Sequence, residues 1–195
     1  KYVLMPRGPN PCGPGICPGM SGTVENLLRL ARDSEAATRA VLARNATTPQ
    51  EVLAFLSKDA DPYVRASVAT NPRAPFSVLN LLSEDDDVSV REALARRVAG
   101  LLPSLSSSTH DRLATILQPI LLRLVEDTAV EIRLIIAEAA KQLATVPRDA
   151  VRRLAVDTEI RVAEPVIRLS PLLTEDDLLA LIASPPAATT IHAVA

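Results

Sequence analysis

The chain has 195 residues and a net charge of −2, with 48% hydrophobic residues, 2% aromatics and no Trp. Its apolar content is therefore mostly Ala, Leu, Val and Ile, which favours a helical domain with a real core over aromatic-rich strands. That charge argues against a polycation built for nucleic acid. No apolar run reaches the ~18 residues that span a bilayer.

The opening stretch, KYVLMPRGPNPCGPGICPG (1–19), holds five Pro and four Gly. It cannot form a helix or a central strand. It also lacks the apolar run of a secretory signal, so a cytoplasmic protein is the expectation. Met20 offers a start, which leaves 1–19 either non-native or a native extended tail. Cys12 and Cys17 are the only cysteines in the chain. A closed zinc or iron–sulfur site needs about four ligands, so the pair reads as free thiols in a reducing setting, and no cofactor is expected.

A helical pattern begins after Met20, and from there to 195 the chain reads as one α-solenoid domain. Residues 42–67 align with residues 68–93 at a period of 26, with 11 positions identical. These include Asn45/Asn71, Pro49/Pro75, Leu53/Leu79, Asp59/Asp85 and Arg65/Arg91. One period earlier, Asp33 and Arg39 fall on Asp59 and Arg65. Such self-similarity is the signature of a solenoid. Each unit reads as two helices. Thr48-Pro49-Gln50-Glu51 resembles a capping box that starts the first, with Val52, Leu53 and Leu56 on one face. Asp61 caps the second, with Pro62 at its first position and Val64 and Val68 facing the core. Neither helix is stable alone, so stacked units must bury each other's apolar faces.

Regular repeats cover about 23–100, and the Ser-rich stretch 101–110 reads as a loop. Longer, looser pairs follow over 111–195, with Pro119 expected to kink the first helix and Thr174 to cap a sixth pair. The Asp-to-Arg spacing recurs at Asp127 and Arg133, and in shortened form at Asp157 and Arg161. The whole predicts about six helical pairs. The four combinations Asp59/Arg65, Asp85/Arg91, Asp127/Arg133 and Asp157/Arg161 predict a structural ladder, each Arg forking onto the Asp of its own or the adjoining unit. The last helix shows no end signal, so the native chain is expected to continue, or a second copy to cover Ile191 and Val194 in a homodimer.

The stretch LARNATTPQEVLAFLSKDADPYVRASVATNP resembles the leucine-rich repeat variant, with its N-P-x-T-P and D-x-x-V-R patterns. Asn71-Pro72 and Pro75 keep the first pattern, while Asn45 lacks its Pro. EPVIRLSPLLTEDDLLALI (164–182) resembles the end of a mainly alphaproteobacterial family, domain of unknown function 2336. The resemblance implies a right-handed α-α superhelix of the HEAT/armadillo kind, with no catalytic residues to carry over. Some leucine-rich repeat variants add a Cys-rich cluster module, for which two cysteines are too few.

In such folds the second helices line the concave face. Arg44, Arg96 and Arg97, with Lys141 further on, would form a basic stripe there, interrupted by Thr70. These residues are the candidate partner-binding set. The competing reading is a solvated face, which also applies to Arg148, Arg152 and Arg153. The carboxylates of 83–87 lack the spacing and Gly of a calcium loop and read as a capping turn. His110 and His192 have no ligand-spaced neighbours, and no nucleophile elbow or phosphate loop is present. The expectation is a non-enzymatic scaffold binding another protein or a peptide. A HEAT-like DNA glycosylase, or a self-associating module, is the alternative. The charge and the scarce aromatics weigh against the nucleic-acid reading.

Overall fold

The computed structural model describes residues 23–106 and 111–194, and within them the chain is all-helical. The tail with Cys12 and Cys17, and His110, lie outside the described residues. Among the described residues, twelve α-helices form six consecutive pairs: α1 (Val24–Asp33) with α2 (Ala36–Arg44), α3 (Gln50–Leu56) with α4 (Pro62–Thr70), α5 (Phe76–Leu82) with α6 (Val88–Leu101), α7 (Asp111–Leu124) with α8 (Val130–Ala140), α9 (Arg148–Ala155) with α10 (Ile160–Leu169), and α11 (Glu175–Ala183) with α12 (Thr190–Val194). This is an α-solenoid. The expected loop at 101–110 begins later than the Ser content suggests. Leu101 ends α6, buried Leu102 opens a 3-10 turn to Ser106, and 107–110 are not described.

The local signals act where the residues put them, with one correction. Asp61 accepts from the Tyr63 amide at 2.8 Å and Pro62 is the first residue of α4. Asp87 does the same for α6 at the Ser89 amide. Thr174 forms a reciprocal capping box with Asp177 at α11. Thr48, by contrast, does not cap α3. Pro49 occupies the N-cap in an extended conformation, and the buried Thr48 hydroxyl instead donates to the Leu42 carbonyl at 2.7 Å. The helix starts one residue late for a box, so the hydroxyl turns back to satisfy the end of α2. α7 runs through Pro119 as one helix.

The core is one continuous spine between the two helix layers. Val52, Leu53 and Leu56 of α3 and Val64 and Val68 of α4 are fully buried, and their equivalents in α5–α10 are buried as well. Second helices pack on one another along the whole row, more closely than first helices do. A stack tighter on one layer curves toward it, so the second helices form the inner face.

Candidate partner-binding face and its flanking ladders

Four rungs tie the units together along the edge where first helix turns into second. Arg39 forks onto Asp59 at 2.6 and 2.8 Å, and Arg65 onto Asp85 at 2.7 and 2.8 Å. Arg91 forks onto Asp127 at 2.7 and 3.1 Å, and Arg133 onto Asp157 at 2.6 and 3.1 Å. Every fork reaches the Asp of the following unit. The remaining guanidinium nitrogen of Arg65, Arg91 and Arg133 donates to the carbonyl of its own unit's Asp, and that of Arg39 to Ser34. Each Asp also accepts from the amide two residues on, which closes the turn. The four Asp side chains are only 6–8% exposed. The Arg39 fork, ahead of the Asp61 amide, holds the Asp59 carboxyl below its usual range. The Asp partner raises the pKa of Arg39, Arg65, Arg91 and Arg133.

Arg161 is not a rung. It contacts Glu159 in its own turn, and its side chain is 62% exposed. Its shorter spacing from Asp157 places it two positions early. Buried Ala163 holds the position that Arg133 holds in the preceding pair. Arg39, six positions after Asp33, is conversely a full rung that the four predicted combinations leave out.

On the opposite edge the links run through backbone carbonyls. The buried Asn71 amide donates to the Ala43 and Asn45 carbonyls at 2.6 and 3.0 Å. One period on, Arg97 donates to Ala69 and Pro72 at 3.2 Å each. Arg97 thus stitches α6 to the end of α4, and burial pulls its pKa below the ordinary guanidinium value. It is held to that edge rather than free on the inner face.

The other candidates lie on or beside the inner face but do not form one stripe. Arg96 pairs with Glu92 one helical turn back, and Lys141 pairs with Glu138. Arg168, in register with Arg96, pairs with Glu164. Thr70 is exposed and bonds to the Ser67 carbonyl. Arg44 differs from all of these. It stacks on Tyr63 of the next pair at 4.6 Å and donates to Ser67 at 3.1 Å, with no carboxylate partner among the described residues. Tyr63 and Val41 beside it are each 52% exposed. The structure therefore singles out Arg44, and adds Tyr63 and Val41, which sequence patterning did not mark.

A second row of cross-unit contacts runs along the outer edge, between the residue before each ladder Asp and the next first helix. Arg32 lies over Phe55 at 5.4 Å, Glu84 pairs with Arg123 at 2.7 Å, and Glu126 pairs with Arg153. The same register matches Lys58 with Leu81, and Val156 with Leu179. Arg148 and Arg152 converge on the nearly buried Asp177 at 2.7 and 2.9 Å. The Thr174 amide, then Arg148, holds that carboxyl far below its usual range. At 83–87, Asp85 is a rung and Asp87 a cap. No group of acids, His or Cys among the described residues is placed to hold a metal ion. His192 is exposed on α12, Ile191 is exposed, and Val194 is half-buried against the core.

A scan against protein-family models finds no match, and a search of curated proteins finds none either. The likeness of 164–182 to domain of unknown function 2336 is therefore unsupported at the family level. Among solved structures, the chain is similar to a leucine-rich repeat variant with a novel repetitive structural motif, at 24% identity and a TM-score of 0.38, over 89% of this chain and 70% of that one. It is also similar to an engineered protein at 19% identity and a TM-score of 0.46, over 82% of this chain and 84% of that one.

Proposed function

We propose that this chain is a non-enzymatic scaffold that binds a partner protein or peptide on the inner face of its solenoid, at the end formed by α2 and α4. The observation that carries the reading is Arg44 stacked on exposed Tyr63 across two units, with Val41 beside them. Arg and Tyr are the residue types that anchor interfaces, and here they stand pre-ordered, with no acid partner among the described residues. The non-enzymatic part is supported by the acids of the repeat. Asp59, Asp85, Asp127 and Asp157 are each committed to an Arg and to a turn amide, which suits packing rather than proton transfer.

Photo-crosslinking tests the face. A benzophenone side chain at Ala37 or Ser89, both exposed on inner helices, should crosslink a partner from native lysate. The same group at Ser77, on the outer side of α5, should not. Arg44→Glu with Tyr63→Ala should abolish the product. Crosslinking from Ser77 alone, or products indifferent to the double substitution, would sink the proposal. No helix among the described residues is long and apolar enough to cross a membrane, and a cytoplasmic partner is part of the proposal.

A further inference from the structure

A second surface, on the outer edge, has a chemistry of its own. Between the first two pairs lies a cleft of about 410 Å³, walled by Ala31, Phe55 and Ala60 and flanked by Arg32 and Lys58. Arg39 and Asp59 close its floor, but they neutralise each other as a rung. The net charge at the mouth therefore comes from Arg32 and Lys58, neither with a carboxylate partner among the described residues.

The equivalent junctions make the difference visible. Where Glu84 and Glu126 replace the two cations, Arg123 and Arg153 reach across from the next helix and pair with them. Lys58 is matched with Leu81 at that register, so its charge is left over. Arg32 lies over the Phe55 ring at 5.4 Å, a cation–π contact that leaves its N–H groups to donate. Phe55 and Leu81 are themselves exposed on either side. The site thus offers two positive charges, Arg32 against Phe55 and Lys58 at the cleft wall, spaced by apolar surface.

We propose that this cleft binds an acidic peptide segment of a partner protein, its carboxylates held by Arg32 and Lys58 and its apolar side chains laid on Phe55 and Leu81. The apolar lining favours a peptide over a free phosphate, which needs several donors converging on one centre. The site is separate from the inner face around Arg44 and does not rest on the binding proposed there.

The test is a titration of the ¹⁵N-labelled chain with a capped peptide alternating Glu and Leu. Amide shifts should centre on Arg32, Phe55, Lys58 and Leu81, and weaken as salt rises past physiological strength. Arg32→Glu with Lys58→Glu should cost at least about tenfold in affinity, as expected for reversing charges at a contact. Both side chains are exposed, so the thermal midpoint should stay put and show that the variant folds. A Gln-for-Glu peptide should give no shifts. Absence of shifts with the Glu peptide, shifts centred elsewhere, equal shifts from inorganic phosphate, or tighter binding of duplex DNA at the same residues would each overturn the proposal.

Discussion

The first three helical pairs and the last three solve one stacking problem with different surfaces. In α1–α6 the ladder acids Asp59 and Asp85 stand one repeat period apart, and the side chains between them repeat closely. The intervals from Asp85 to Asp127 and from Asp127 to Asp157 are both longer than that period, yet the rungs keep the same geometry. Insertions are absorbed in α6, α7 and the loops, because a rung constrains only the turn and the start of the second helix. The surfaces diverge more. Apart from Arg97, each cation described beyond position 90 pairs with a carboxylate. Arg29, Arg32, Arg44, Lys58 and Arg73, all in the first half, have no such pair among the described residues. A surface ion pair adds little stability, but it cancels a charge that a partner could otherwise use. The first half keeps its cations, its stacked Arg and its exposed aromatics. The second half is neutralised.

The widest gap should separate rungs from surface pairs. Asp127→Ala leaves Arg91 without its acceptor and opens the turn, and should cost about 3 kcal/mol in urea denaturation. Glu126→Ala, its exposed neighbour, should cost under about 1 kcal/mol. If the two cost the same, the ladder is no more than a surface feature. Next comes the opposite edge. Asn71→Ala strands the Ala43 and Asn45 carbonyls and should cost about 2 kcal/mol. A value near zero would mean that water replaces the amide.

Acid should act on both halves through Asp59 and Asp177, whose folded pKa values lie below their unfolded ones. Their contribution is present above the unfolded value, about pH 4, and is lost as pH falls through the folded values. Asp177→Asn should therefore be less stable than the parent at neutral pH, and the difference should close in acid. A constant difference would rule out the charged form as its source. The smallest effect tests the outer row. Lys58→Glu combined with Leu81→Arg rebuilds at that junction the pair seen at Glu84 and Arg123. The coupling should be about 0.5 kcal/mol, and no coupling would show that the register differs between halves.

Much of this architecture is legible in the residues. The period, the apolar faces and the Asp-to-Arg spacing yield the solenoid and most rungs, because they recur. Recurrence does not tell which unit an Arg reaches, since spacing alone allows its own Asp and the next equally. It also misplaces Arg161, whose shorter spacing puts it two positions before the ladder site. Arg97 is hidden because it performs Asn71's task with a different side chain. The neutralised stripe could have been read, because Glu92 and Glu164 stand one helical turn before Arg96 and Arg168. The pairing of Arg44 with Tyr63 could not, since it depends on how helices from two different pairs come to lie side by side.

The proposed binding belongs to the half with uncancelled charge. Partner affinity should be compared for two charge reversals on the same inner face: Arg44→Glu in the first half, and Lys141→Glu with Arg168→Glu in the second, whose cations pair with Glu138 and Glu164. The single reversal should lose at least about tenfold and the double less than about twofold. Equal losses, or a greater loss from the second half, would contradict that placement.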